Sequence, residues 1–143
     1  MYIRQVSVFL ENARGALAKL TRLFADNGLD MIALSIAETE HYGIVRCIVS
    51  DTDRCMNALR DAGYTARLTE VLAVCVPDRP GGLCHVLELF SENNISVEYL
   101  YSMVRSNGDH ALLIFHLDDL EKGTGLLLEH GIKIITQAEI ETL

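Results

Sequence analysis

The chain has no tryptophan and only two prolines in 143 residues, and aromatic side chains make up just 6% of it. So few prolines exclude a collagen-like or Pro-rich build. With half of the residues hydrophobic, the composition describes a compact globular protein with disorder expected only at the ends. Long apolar runs are also missing. None reaches the roughly 18 to 20 residues that cross a bilayer, and the start, Met1-Tyr2-Ile3-Arg4-Gln5, lacks the apolar stretch of a secretory signal. Positive charge is scarce: 12 Lys and Arg stand against 20 Asp and Glu, a formal net charge of −8. Such a field repels phosphate backbones and anionic lipid surfaces. Neither nucleic acid nor a membrane is therefore expected as a partner, and the expected location is cytoplasmic.

The four cysteines, Cys47, Cys55, Cys75 and Cys84, include no C-x-x-C pair. Cys47 and Cys75 sit inside apolar runs, as small core residues do, so reduced structural thiols are expected. Cys84 falls in the first turn of an expected helix, where the helix dipole favours a thiolate.

What is present is a repeat. Ser7-Val8-Phe9-Leu10-Glu11-Asn12-Ala13-Arg14-Gly15-Ala16-Leu17 aligns with Ala73-Val74-Cys75-Val76-Pro77-Asp78-Arg79-Pro80-Gly81-Gly82-Leu83, matching Val8 to Val74, Gly15 to Gly81 and Leu17 to Leu83. The same offset of about 66 residues pairs Leu23-Phe24 with Leu89-Phe90 and Asn27 with Asn93. After small insertions Asp51 meets Asp118 and Gly63 meets Gly131. A duplication of this kind takes precedence over any local reading. It predicts two domains, residues 1–69 and 70–143.

Each copy carries the same pattern. In the first, residues 2–10 are an apolar, β-branched run and so a strand. From Arg14 to Asn27, Leu17, Leu20, Leu23 and Phe24 recur at helical spacing opposite Lys19, Arg22 and Asp26, and Asn27-Gly28 closes the helix. Strands over 30–38 and 43–50 follow, joined by a turn around Glu40 to Gly43. Ser50 or Asp51 caps a second helix to about Ala62, ended by Gly63, and Tyr64 to Thr69 form the last strand. The second copy predicts strand 71–76, helix 80–93, strands 96–105 and 109–117, helix 118–130 and strand 132–138. Asp118 and Glu121 there suit a capping box. The expected class is α+β, two tandem ferredoxin-like βαββαβ domains, each an antiparallel sheet with its helices on one face. The unbroken run Ala111-Leu112-Leu113-Ile114-Phe115 predicts a strand buried on both sides.

The loop after each first strand is the candidate site. A polar residue, Asn12 or Asp78, lies three positions before a glycine, Gly15 or Gly81, that opens a helix. Glycine lets a ligand approach the main chain, and free amides of Ala16 and Leu17, or Gly82 and Leu83, would meet an anionic group such as a carboxylate. Asp78 can pair with an ammonium. The pattern therefore suits a zwitterion, although Asp-Arg-Pro-Gly is also ordinary turn chemistry.

The segments FLENARGALAKLTRLFADNGLDM and VPDRPGGLCHVLELFSENNISV resemble the signature region of ACT domains, which sense amino acids in metabolic enzymes and regulators. The resemblance implies a non-catalytic regulatory protein with no cofactor, binding a free amino acid at domain interfaces and expected to form a homodimer. It would place Asn12, Gly15, Ala16 and Leu17, or Asp78, Gly81, Gly82 and Leu83, against the ligand, with Asp30 or Ser96 approaching from the adjoining domain. The chain departs from the family's pattern in two places: Ala13-Arg14-Gly15 lacks the proline of Arg79-Pro80-Gly81, and Asp30 and Ser96 stand where Asn is frequent.

Enzymatic readings find little purchase. The five histidines are scattered, and His110 and His116 would lie about 20 Å apart on one strand, too far to share a metal. His85, beside Cys84, is as well explained by solvent exposure as by a ligand pocket. There is no P-loop and no RNA-reading aromatic strand motif. No metal site is expected. The alternative to a sensor is a regulatory subunit or interaction module that binds an enzyme of amino-acid metabolism without a small molecule of its own.

Overall fold

The computed structural model of the chain describes residues 2–103 and 108–143. It divides into two compact units, Arg4–Thr69 and Glu70–Leu143, the latter joined by the extreme N-terminus through Ile3. None of the described helices is long and apolar enough to cross a membrane, which leaves β-barrel spans unaddressed.

The first unit runs β1 (Ile3–Glu11), α1 (Ala16–Asp26), β2 (Met31–Glu38), β3 (Tyr42–Val49), α2 (Thr52–Asp61) and then into β4 (Thr65–Pro77). Its strand order is β2-β3-β1-β4, with β3 antiparallel to both β1 and β2. This is the ferredoxin-like order. Val6, Val8 and Leu10 alternate onto the face that receives Leu20 and Phe24 of α1 and Cys55 and Leu59 of α2, and these form one buried cluster with Val45, Cys47 and Val49 of β3. The 3.6-residue spacing of the apolar positions is what turns those side chains onto the sheet.

The second unit uses the later part of β4 as its first strand. It continues with α3 (Gly82–Glu92), β5 (Val97–Ser102), β6 (His110–Leu117), α4 (Leu120–Glu129), β7 (Ile134–Ile135) and α5 (Gln137–Glu141). Here β4 lies between β6 and β7, and β5 pairs with β6, all antiparallel. The core repeats the first unit's layout with Leu72, Val74 and Val76 on the sheet, Val86 and Phe90 on α3 and Leu127 on α4. Phe90 meets Phe115 edge to face, with ring centroids 5.7 Å apart, a geometry favoured by the ring quadrupoles. In β6, Leu112 and Ile114 are as buried as Leu113 and Phe115, as its unbroken apolar run predicts.

Four expectations need correction. The strands expected at 64–69 and 71–76 are one element, β4, because Thr69-Glu70 offers no glycine, proline or turn former to interrupt two β-forming runs. The strand expected over 132–138 shrinks to Ile134–Ile135, because Thr136 starts a helix. Its hydroxyl accepts from Glu139 N while the Glu139 carboxylate reaches back to the Thr136 amide, a complete capping box. The cap of α4 is Asp119, whose carboxylate accepts from Lys122 N at 3.0 Å, not Asp118. Asp118 is instead engaged by the amide of Ser96 at 2.9 Å, so Asp51 corresponds to Asp119 and not to Asp118. In the first unit Asp51 caps α2 through Arg54 N, while Ser50 Oγ accepts from Asp30 N. Finally, Cys84 Sγ donates to Glu88 Oε1 at 3.3 Å, and this bond raises the thiol's pKa, opposing the thiolate expected from the helix dipole. The end expected for the 96–105 strand, at residues 104 and 105, lies outside the described residues.

Candidate functional site

Gly15 and Gly81 are the N-caps of α1 and α3, with φ of 83° and 88° and ψ of −5° and −10°. The amide of Ala16 donates to Ala13 O at 3.2 Å, and that of Gly82 to Arg79 O at 3.0 Å. A left-handed third residue closed by this bond is a type II turn, which explains both the glycine and, in the second unit, the proline before it. The same bond corrects one expectation. The Ala16 and Gly82 amides are held by their own turns, so Leu17 and Leu83 carry the first helical amides that the turn does not engage. A Cβ at Gly15 or Gly81 would meet nothing within 4 Å. Only the backbone conformation demands glycine there, and the main chain at both positions is uncovered.

Gly82 is different. It is buried, and a Cβ on it would collide with the Pro77 carbonyl oxygen, so its smallness serves the approach of α3 to the end of β4. Its counterpart Ala16 carries a Cβ without difficulty. Leu83 is partly buried against the second unit's core, whereas Leu17 is 36% exposed.

Beside each glycine turn lies a cleft between the start of the first helix and the turn that follows the second helix. In the second unit it measures about 610 Å³ and includes Gly81, Gly82, Gly131 and Ile132. In the first it measures about 480 Å³ and includes the corresponding Gly15, Ala16, Gly63 and Tyr64. Gly63 and Gly131 both have positive φ. A further groove of about 510 Å³ in the first unit gathers Asn12, Ala16 and Leu17 with Ile36 and Glu38 of β2. The Asn12 amide donates to Glu38 Oε1 at 3.2 Å and to Thr39 O at 2.9 Å. Its donors therefore hold the β2–β3 turn.

Asp78 is exposed, with its backbone amide on Asp109 O. It lines a smaller groove with Arg79, Asp109 and His110, which shares Pro77, Arg79 and His110 with the 610 Å³ cleft. Asp30 and Ser96 line neither glycine-turn cleft of their own units. Each precedes its strand and is tied twice, its amide to the Ser50 hydroxyl or the Asp118 carboxylate and its carbonyl oxygen to the main-chain amide of the same partner.

The larger cleft also contains Arg79, His85, His110 and Lys133, none of them among the expected site residues. His85 and Arg79 lie next to the glycines in sequence, but Lys133 arrives from beyond α4 and His110 from the start of β6. No local pattern announces that meeting. Cys75 lies at the same cleft, its thiol pushed up by burial, with Lys133 opposing the shift. His116 sits elsewhere, stacked on Tyr99 with ring centroids 4.8 Å apart and 2.8 Å from Glu98. Among the described residues no group of three or more His, Cys, Asp or Glu is placed to hold a metal ion.

The family described as an ACT domain pair matches over residues 1–143. A protein of known structure from Bacteroides thetaiotaomicron is 32% identical, with a TM-score of 0.93 over 100% of this chain and 98% of that one. The ligand-free regulatory subunit of aspartate kinase from Thermus thermophilus superposes with a TM-score of 0.63 at 13% identity, over 88% of this chain and 91% of that one. The regulatory subunit of aspartate kinase from Thermus flavus gives 0.61 at 11%, over 88% and 90%. At those identities the two kinase subunits show a shared fold. No curated protein matches the chain by sequence.

Proposed function

The chain belongs to the ACT domain pair family, and from that premise we propose that it is a non-catalytic regulatory protein that binds a free amino acid as its signal, at the glycine turns before α1 and α3. The observation that carries this reading is the paired cleft. Two units of diverged sequence keep a left-handed glycine, an uncovered main chain and a hollow at the same place. A structural turn alone requires the glycine but no cavity beside it. A small zwitterion fits such a hollow, its carboxylate toward the helix start and its ammonium toward the Asn12 carbonyl or Asp78. Asp30 and Ser96 would contribute from an adjoining domain, as in the family's usual arrangement. The regulatory subunits of aspartate kinase that share the fold agree with a role in controlling an enzyme.

The same reading makes the protein a homodimer. β2 and β5 are the outer strands of their sheets, and an outer strand presents unpaired backbone groups to a partner. Light scattering should then report about twice the chain mass.

A thermal-shift panel of the common amino acids tests the sensor. One of them should raise the melting temperature, with about 2.7 kcal/mol of added stability at 100 times its dissociation constant. Gly81→Val should abolish that shift, since the site needs the uncovered backbone. A flat response at millimolar concentrations would favour a pure interaction module, and turnover of any substrate by the isolated chain would overturn both readings.

A further inference from the structure

Arg79, His85, His110 and Lys133 gather at one cleft in a chain whose formal charge is −8. Among the described residues no aspartate or glutamate lines that cleft, so the grouping runs against the composition around it. Its carboxylates stand at the edge instead. Asp109, 94% exposed, is 2.8 Å from His110 Nδ1, and Glu139 is 3.6 Å from Lys133 Nζ, with the glutamate 44% and the lysine 60% exposed. An exposed pair of that kind is weak and exchanges readily for a better partner. The smaller groove that shares Arg79 and His110 adds Asp78 and Asp109 at the cleft's rim. Cations thus lie inside and acids at the edge.

The corresponding cleft of the first unit is lined differently. Arg14 and Lys19 share it with Glu11, Thr65 stands where Lys133 stands, and it holds no histidine. Both units have the same helix start at the same place, so the helix terminus is not what separates them. The side chains are.

We propose that the cleft of the second unit takes a dicarboxylic amino acid, its side-chain carboxylate held between Arg79 and Lys133 and its ammonium turned toward Asp78 and Asp109. This rests on the amino-acid sensor reading above. The helix start takes the α-carboxylate, so the cation pair is left for a second one. A guanidinium presents a planar fork that fits a carboxylate with two parallel hydrogen bonds, while an ammonium adds a mobile point charge. The rim acids place the opposite sign where the α-ammonium of such a ligand would lie. The open cleft admits water and salt, so the selectivity is moderate and falls as ionic strength rises.

Titration calorimetry on the full chain at low salt, with L-aspartate, L-glutamate, L-asparagine and L-glutamine, tests the proposal. One of the acids should bind about tenfold or more tighter than its own amide. Arg79→Gln and Lys133→Gln should each erase that preference while leaving the ligand-free melting temperature unchanged, since both side chains are at the surface. Equal affinity for an acid and its amide would overturn the charge selectivity and leave the sensor reading intact. A preference for acids that survives both variants would overturn the assignment of this cleft. Heat from none of the four would overturn this proposal and leave the sensor reading to the panel of common amino acids.

Discussion

The two units share a plan down to individual hydrogen bonds, yet they differ where the plan leaves a choice. Asn27 and Asn93 both cap the first helix of their unit by donating from the side-chain amide to a carbonyl one turn back, at 2.8 and 2.9 Å. The next residue is left-handed in both, Gly28 with φ of 66° and Asn94 with φ of 58°; these are the two residue types that tolerate that region best. In the core, Cys47 and Cys55 of the first unit correspond to Phe115 and Gly123 of the second. Gly123 lies so close to Leu117 that a Cβ would strike its side chain. Total volume and pattern are kept while the pieces change, as tolerant cores allow. At the glycine turns the divergence goes further, since Ala16 is replaced by a buried glycine, Glu11 drops out of the cleft's lining, and Lys133 and two histidines enter it. Backbone geometry tolerates little change because every residue of a turn or cap participates in it, whereas the lining of a cleft can exchange its charged residues without disturbing the fold.

The sharpest way to break this comparison is at Gly82. Gly82→Ala should destabilise the protein by about 1 to 3 kcal/mol, the usual cost of overpacking, because the new methyl meets the Pro77 carbonyl. Ala16→Gly should cost no more than about 1 kcal/mol. Urea unfolding of both variants measures the difference, and equal values would mean that α1 and α3 approach their sheets alike.

Alkaline pH offers a second probe. Burial raises the Cys55 thiol from its ordinary 9.0 to about 12, with Asp51 adding to the shift, and Cys47 is raised as well, by burial and then by Cys55. A thiol raised in this way stays protonated in the fold after its unfolded counterpart has ionised. Its contribution is therefore complete below the unfolded value and is lost as pH climbs from about 9 toward the folded value. The slope is about 1.4 kcal/mol per pH unit per thiol. Under reducing conditions Cys55→Ala should lose less stability than the parent chain between pH 8 and 10. An identical loss would show that this thiol does not set the alkaline limit. The corresponding Gly123 has nothing to titrate.

The smallest effects expected are at the caps. Asp51→Ala and Asp119→Ala should each cost about 1 kcal/mol. Matching values would sharpen the correspondence between α2 and α4. A negligible cost at Asp119 would return the capping role to Asp118, the residue that sequence alone suggested.

Much of the fold was legible because its causes are local. Apolar alternation marks β1, helical spacing of Leu20 and Phe24 marks α1, and Gly63 and Gly131 sit where a helix must end. The misreadings have causes of both kinds. Two adjacent residues could each cap α4, and only the demand of the Ser96 amide decides between Asp118 and Asp119. The capping box Thr136-Gln137-Ala138-Glu139 lies behind the apolar run Ile132-Lys133-Ile134-Ile135, whose β-branched side chains argue for more strand than forms. The glycines of the candidate site were visible for the same local reason, but half of the cleft's basic residues were not. His110 and Lys133 are separated from Arg79 and His85 by whole elements, and nothing in their immediate neighbours points across that distance.

The amino-acid sequence by itself determined the duplication, the βαββαβ order and the two glycine turns, because periodicity and left-handed backbone positions constrain each residue through its near neighbours. Tertiary structure alone decided which acid caps α4. It also decided that four basic side chains share a hollow in an acidic protein. These outcomes depend on which distant groups compete for the same hydrogen bond or the same space, and that competition exists only once the chain has folded.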